Sequence, residues 1–574
     1  MGMSEQISIT TERVDDIPVL VASAERLGLA GLLDKHFVAH GNWQGLSPGK
    51  MLTGWLTHIL SEADHRLNQV QEWAARRLAT LSSSLGEEMS ALDFSDDRLA
   101  TGLDMMSEDE HWAAFEAELN QRTLRVYDLK TECVRIDTTT ASGYWQVTED
   151  GLFQLGHSKD HRPDQPQLKV VLAALDPMGM PAATQVVSGR RADDRLYIPA
   201  IDQVRIGLDK RGLLYIGDCK IMSFETRLHL AAGGDKYLGP FSATQVPQAR
   251  LDCYLQGVWA GEQALTRVER PDEKGQMKKI AEGFEFSETL TATHDGKVVT
   301  WQERRLVVRS LAHAKSAETA LQARLQQAQS AIEALTERKQ GKEPFTANAD
   351  LLQAAEKLLK QHQVTGLLQF QITEQVQEQH IRKYGERPAE IRIERHLEIA
   401  VQKNETAIQE TIRRLGWRVY GTNCSANELT LEQAVLAYRE EYLVERCFGR
   451  LKGKPLSLTP MYLQDDQRAT GLTRLLSIGL RVLTLLEHVV RCQLAEKNEK
   501  LKGLYAGNPT RATDRPTTEA LLRAFKDIFL NFVTIADHTY CHLSPLSGLQ
   551  QKILTLLDLP ASIYTSLADS ENPP

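Results

Sequence analysis

The chain of 574 residues has no CxxC pair: its seven cysteines, Cys133, Cys219, Cys253, Cys424, Cys447, Cys492 and Cys541, stand singly and are odd in number. This excludes a zinc ribbon and a disulfide framework, so the thiols read as reduced ones in a cytosolic protein. No basic stretch followed by an apolar core opens the sequence (MGMSEQISITTERVDD), and a cleaved leader is not expected. Long apolar runs are also missing. The most apolar stretch, Gly471 to Val490, is interrupted by Arg474, Arg481, Glu487 and His488, which makes it a core or amphipathic helix and not a membrane span. No repeat of fixed period is visible. Nor is positive charge in excess: 67 Lys and Arg against 76 Asp and Glu leave a formal −9, with a pI near 6.0. That argues against a surface coated in positive charge, but net charge leaves room for one basic groove.

What is present is an ordinary globular balance, 42% hydrophobic and 25% charged, over a length that suits about three or four domains. Apolar residues recur at three and four from about 20 to 128, which predicts a helical N-terminal domain over 1–128. From 129 the pattern turns to strands: 133–137, 152–156, 168–175 and 182–189. A helix is then expected over 195–208, a short apolar strand over 213–217 ending at Asp218, a helix over 224–232 and a strand over 236–238. This α/β order suits one mixed sheet, the first part of a core over 129–245. Residues 246–425 read as an insertion. It holds a hairpin over 283–292 and 298–308 turning at His294-Asp295-Gly296-Lys297, and a helix over 311–339 with Leu321, Leu325, Ala328, Ile332 and Leu335 on one face. A break at 341–346 leads to a second helix from Asn348, then a strand over 397–401, a helix over 405–415 and a strand over 417–420. Helices follow over 431–451 and 471–497, so 426–500 completes the core. Residues 501–574 are expected to be a helical C-terminal region, with a last helix over 518–536 and a frayed tail over 570–574.

Three carboxylates stand at chemically informative places. Asp137 closes the first strand of the α/β region, Asp218 closes a later one, and Glu445 lies within a helix. Neighbouring strands can present two acids at one edge of a sheet, and a helix across that edge can bring a third. Hard oxygen ligands of this kind are what a pair of divalent ions needs for in-line phosphoryl transfer. Around Glu445 the sequence runs Tyr438-Arg439-Glu440-Glu441-Tyr442-Leu443-Val444-Glu445-Arg446-Cys447-Phe448-Gly449-Arg450-Leu451-Lys452. On one continuous helix Tyr438, Glu445 and Lys452 would share a face. Arg446, Arg450 and Lys454 add local positive charge, and a surface helix laced with ion pairs is the plain alternative. His157 and His161 sit among Gly156, Pro163 and Pro166, so they are expected in a polar loop, not on one helical face. With Lys159, Arg162, Arg190 and Arg191 that loop would form a basic floor.

At these residues the chain resembles the bacterial insertion-sequence transposases of the DDE type, in the branch whose signature is Tyr-x-x-Arg-x-x-x-Glu-x-x-x-x-x-x-Lys. The stretches Gly156 to Asp164 and Ile216-Gly217-Asp218-Cys219-Lys220 are similar to further motifs of that family. One position departs: Glu441 stands where the signature has Arg, and Arg439 is the nearby cation. The resemblance implies an RNase H-like mixed-sheet α/β catalytic core with a large β-plus-helical insertion, flanked by helical N- and C-terminal regions. It implies a DNA transposase that cleaves element ends and joins them to target DNA. Asp137, Asp218 and Glu445 would be both catalytic residues and ligands of two Mg²⁺ ions, with Mn²⁺ as a substitute. Tyr438, Arg439, Arg446, Arg450, Lys452 and Trp417 would contact DNA, Trp417 as a stacking residue. Implied partners are double-stranded DNA, as terminal inverted repeats and target, and a second copy of the chain on that DNA. A cytoplasmic, nucleoid-associated protein with no membrane contact is the implied setting. The rivals are an RNase H-like nuclease without strand transfer and a non-catalytic DNA-binding protein.

Overall fold

Chain entry is by a strand. In the computed structural model, which describes residues 7–272, 275–337, 345–382, 385, 388, 390–535 and 538–568, Ile7–Arg13 (β1) pairs antiparallel with residues 529–535. The helices Ile17–Arg26, Leu29–His36, Pro48–Glu62, Leu67–Ala75, Leu78–Leu85, Asp96–Met106 and Asp109–Tyr127 (α1–α7) follow. Local chemistry sets their ends. Ser47 accepts from the Lys50 amide at the start of α3, where Pro48 costs no hydrogen bond. Gly86 closes α5 in the left-handed conformation.

Next come the strands Cys133–Ser142 (β2), Gln167–Leu175 (β3) and Met180–Ser188 (β4), the helix Tyr197–Leu208 (α8), the strand Leu214–Gly217 (β5), the helix Phe224–Ala232 (α9) and the strand Lys236–Pro240 (β6). They lie side by side in the order β4-β3-β2-β5-β6. The first three form an antiparallel meander, while β5 and β6 run parallel to β2. All nine residues of β3 are buried, as expected for a central strand covered on both faces.

The chain divides into two compact units: Met1–Gly239, Leu290–Trp301 and Leu436–Pro574 form one, Pro240–Thr289 and Gln302–Val435 the other. The second unit contains Gln248–Trp259 (α10), Thr266–Pro271 (β7), most of the hairpin Met277–His294 (β8) and Lys297–Ser310 (β9), Leu311–Glu333 (α11), Asn348–Gln361 (α12), Leu368–Ile381 (β10), Glu390–Lys403 (β11), Glu405–Arg414 (α13) and Trp417–Thr422 (β12). The β8–β9 turn takes positive φ at Asp295 and Gly296, the pair of left-handed residues that a tight hairpin requires. Leu321, Leu325, Ala328 and Ile332 of α11 are buried with Leu351, Ala355 and Leu359 of α12, so the helical hairpin is real. The first helix, expected to reach 339, stops at Glu333, and 334–337 are turn and bend; most of the expected break at 341–346 and the tail at 570–574 lie outside the described residues. Only 397–401 was legible of the β10–β11 arm, whose strands pair over 14 residues each.

The first unit resumes with Leu431–Arg439 (α14, its start counted in the second unit), Tyr442–Lys452 (α15) and Asp466–Glu496 (α16). Within the unit α16 packs against α1, α3, α6 and β4, burying a face from Ala469 to Leu494. The short strands Leu501–Lys502 (β13) and Ala512–Thr513 (β14), the helix Thr518–Arg523 (α17), the strands Phe529–Ile535 (β15) and His538–Leu543 (β16) and the helices Gly548–Leu557 (α18) and Ser562–Thr565 (α19) complete it.

Four expectations are corrected. Asp137 does not close its strand: β2 continues to Ser142, because its partner β3 extends equally far, to Gln167. Residues 152–156 form only an isolated bridge, Gln154 with Gln167. The helix expected over 518–536 stops at Arg523, and the C-terminal region is not all helical. Asp527 turns the chain with φ 68°, and 529–535 finds β1 on one side and β16 on the other. The helix expected over 431–451 is two helices. At the junction Glu440 and Glu441 bond to Ala437 and Tyr438, three residues back, and Leu443 and Val444 repeat that spacing. This tighter turn changes the phase between α14 and α15, so Tyr438 does not share one continuous helical face with Glu445 and Lys452.

Candidate active site

Strand pairing brings the first two acids together. β2 and β5 are parallel neighbours with Cys133 opposite Leu214 and Ile136 opposite Gly217. That offset, 214 − 133 = 81, is the one that separates Asp137 from Asp218. The two carboxylates therefore leave adjacent strands at one level, and the charge of Asp218 acts on Asp137. Burial pushes the Asp137 carboxyl above its ordinary range; Lys159 and the Thr138 amide oppose this, and Asp218 adds to it.

Lys159 donates from Nζ to Asp137 Oδ1 at 3.1 Å and to the Thr138 carbonyl at 2.5 Å. The Thr138 amide donates to the same Oδ1 at 2.7 Å. Asp218 is held differently: the buried Tyr197 hydroxyl donates to its Oδ1 at 2.7 Å, and the Lys220 amide does so at 2.8 Å. Burial and the charges of Asp218 and Asp137 raise the Tyr197 phenol, which keeps it a donor. Tyr197 carries no local sequence signal. It is the first residue of α8, and only the folding of α8 back onto the sheet puts its hydroxyl beside Asp218.

Glu445 lies on α15, which packs on β2. The helix buries Leu443, Val444, Cys447, Phe448 and Leu451 and leaves Glu445 exposed. Two contacts pin this part of the chain: Cys447 Sγ donates to the Gly179 carbonyl at 3.0 Å, and Arg135, paired with Asp176 at 2.8 Å, donates to the Ala437 carbonyl at 2.7 Å. Gly179 has φ 75°, and a Cβ there would sit 2.9 Å from Cys447 Sγ and 3.3 Å from the Leu443 carbonyl oxygen. Gly179→Ala is accordingly expected to cost about 1–3 kcal/mol in urea denaturation and to disturb the helix that carries Glu445.

Glu441 enters the same locality. It lines a narrow crevice with Arg135, Asp137, Gly217 and Val444. Burial raises its carboxyl above the ordinary range; a hydrogen bond from Tyr438 works against this, and the charges of Asp137, Glu445 and Asp218 work with it. Four acids thus share one region, with Lys159 the cation bonded to Asp137. As placed, no three His, Cys, Asp or Glu side chains among the described residues are grouped closely enough to hold a metal. The donor chemistry nevertheless fits a hard divalent cation: only carboxylate oxygens, two of them made costlier as anions by burial and by one another.

The other expected residues are placed as follows. Lys452 Nζ bonds Asp160 Oδ1 at 2.5 Å and the Thr140 carbonyl at 3.3 Å, which ties the end of α15 to the loop carrying Lys159. Arg439 ends α14. Arg446 and Arg450 both pair with Glu487, and Arg450 also bonds Glu519 at 2.8 Å. Arg450 is buried, with its charge committed inside the protein. Trp417 belongs to the second unit, where its indole N–H donates to the Arg413 carbonyl at 3.2 Å.

No family model matches the chain, and no curated protein matches it. Among solved structures, a piggyBac transposase synaptic complex with hairpin DNA, determined by cryo-EM, is similar at 10% identity and a TM-score of 0.35, over 97% of this chain and 85% of that one. No helix among the described residues is long and apolar enough to cross a membrane.

Proposed function

We propose that this chain is a DNA transposase of the DDE type, in the bacterial insertion-sequence branch named above, that cleaves the ends of an element and joins them to target DNA. One observation supports the reading: β2 and β5 are parallel in a register that aligns Asp137 with Asp218, and α15, the helix that carries Glu445, packs on β2. The strand order β4-β3-β2-β5-β6, with an antiparallel meander followed by two strands parallel to β2, supports an RNase H-like core. Asp137, Asp218 and Glu445 would hold two Mg²⁺ ions, for which Mn²⁺ would substitute; when bound, these would stabilise charge on the attacking and leaving oxygens of an in-line transfer.

The chain's own residues then have distinct work. Asp137 must give up the Lys159 ammonium to serve as a ligand, which frees that ammonium to face a phosphate. Tyr197 and the Lys220 amide keep one oxygen of Asp218 fixed and leave the other open. Lys452, released from Asp160, and Arg446, released from Glu487, would meet the DNA backbone with Tyr438 and Arg439, and Trp417 would stack on a base. The helical region over 1–128 would hold the terminal repeats, and two copies would act together on two ends.

The test is strand transfer. Purified protein with pre-cleaved element ends, a target plasmid and Mg²⁺ should give joined products; cutting without joining favours the nuclease reading. A specific observation favours a non-catalytic second reading. Glu441 adds a fourth negative charge where the signature has a cation, and Lys159 occupies Asp137. Glu441→Arg should tighten duplex binding and steepen its dependence on salt by about one ion, read from binding isotherms at several salt concentrations. Unchanged binding would place Glu441 outside the DNA path.

A further inference from the structure

A cleft in the first unit, of about 420 Å³, is lined by two arginines, an asparagine, two aspartates, an exposed tyrosine and a buried histidine. Its volume lies in the range of small-molecule sites, roughly 300–1,000 Å³. His65 is 4% exposed, and neither ring nitrogen has a hydrogen bond of ordinary geometry; the Leu456 backbone offers only a weak polar interaction. A buried imidazole left in this state is uncommon, because each unmade bond carries a desolvation cost. Tyr462, by contrast, is 63% exposed although aromatic, and its ring centroid lies 6.4 Å from that of His65 at 33°.

Around these two rings the polar groups are arranged by type. Arg66 is held by Asp64 through one edge, at 3.0 and 2.7 Å, and Arg468 by Asp104 at 3.3 Å, so each guanidinium is oriented while other nitrogens stay available. Asn68 supplies an adjacent donor and acceptor, the pair that matches adenine. Asp96 and Asp97 line the same cleft with carboxylate oxygens to which a ligand amino group could donate. An aromatic platform, amide and carboxylate hydrogen-bonding groups and two oriented guanidiniums together match a planar, nitrogen-rich ring that carries an anion.

We propose that this cleft binds a single nucleotide, with the heterocycle stacked on Tyr462 and facing His65, and the phosphate toward Arg66 and Arg468. The site does not involve the carboxylates of β2, β5 and α15, and its occupancy is independent of any cutting activity. The nucleotide comes either from an unpaired position in a DNA strand or from the free pool, and two probes separate these sources. One is deoxyadenosine monophosphate, titrated by calorimetry into the full chain. The other is a labelled duplex with one unpaired adenosine, compared with the same duplex fully paired.

Preference for the unpaired duplex alone assigns the site to a strand, and binding of the mononucleotide shows that a free nucleotide suffices. In either case Tyr462→Ala should weaken the favoured probe at least about tenfold, the size of lost base stacking, while Tyr462→Phe, which keeps the ring, retains it. Because Tyr462 is exposed, neither change threatens folding. The proposal is overturned if neither probe is favoured, or if Tyr462→Ala binds like the unaltered chain. Normal binding of the paired duplex in that event leaves the transposase reading standing; failure to bind any duplex removes that reading too.

Discussion

Asp137→Ala should abolish metal-dependent DNA cleavage, by at least about a thousandfold, while duplex binding in the absence of metal persists. A lost metal ligand at a phosphoryl-transfer centre removes several kcal/mol of transition-state stabilisation, and each 1.4 kcal/mol is about tenfold in rate. Asp218→Ala and Glu445→Ala should behave alike, since the three act as one unit and their effects will not add. The stability readout separates this from simple damage. The Asp137 carboxyl is raised by burial and by Asp218, so the native state carries an unfavourable charge that alanine removes. Alanine also leaves Lys159 without Asp137, so the two effects oppose and the variant is expected to melt close to the unaltered chain. Cutting that survives Glu445→Ala, measured on a labelled duplex with Mg²⁺, sinks the assignment.

Arg450→Ala should do the opposite: fold poorly, with no specific effect on DNA. Arg450 lies buried between Glu487, at 2.5 Å, and Glu519, at 2.8 Å, and Glu487 also receives Arg446 and, at 2.8 Å, Arg491. Burial works to raise the Glu487 carboxyl, but the guanidiniums outweigh it and hold the group below its ordinary range. Arg450→Ala takes a buried guanidinium from Glu487 and Glu519, but Glu487 keeps Arg446 and Arg491, so the expected cost lies below the roughly 3–5 kcal/mol of a fully stranded buried charge. Chemical denaturation of Arg450→Ala measures this directly. The sign with pH follows from the lowered Glu487: its contribution is present above the unfolded carboxyl range and fades as pH falls through the native value. A variant of normal stability whose duplex binding loses salt dependence would instead return Arg450 to the DNA surface.

Alternating and 3.6-residue periodicities made the order of strands and helices from 133 to 238 legible except at 152–156, which forms one bridge and no strand, because burial on a sheet or a helix stripe needs only near neighbours. Asp295-Gly296 declared its hairpin for the same reason: positive φ is a local property. Asp218 directly follows β5, as its position along the chain suggested, whereas Asp137 lies within β2 and does not close it. Tyr197 and the joint approach of Lys159 and Glu441 to these acids could not be picked out by position, since each depends on how separate elements pack. The face shared by Tyr438, Glu445 and Lys452 failed on two residues of tighter winding at Glu440 and Glu441, which periodicity does not register. Strand 529–535 was misread because a short apolar run suits helix and strand equally, and its partner lies more than 500 residues away at Ile7–Arg13.

The absence of excess positive charge takes on a sharper meaning in this light. Composition alone determined that the chain is not basic throughout, and local pattern determined an α/β core interrupted by a hairpin and two helices. Tertiary structure decided which charges remain for a ligand. Arg446 and Arg450 are drawn inward by Glu487 and Glu519, Lys452 by Asp160 and Lys159 by Asp137, because an unpaired charge near a low-dielectric interior is costly and takes the nearest partner the fold supplies. That competition is set by distances in space, which no count of residues along the chain contains.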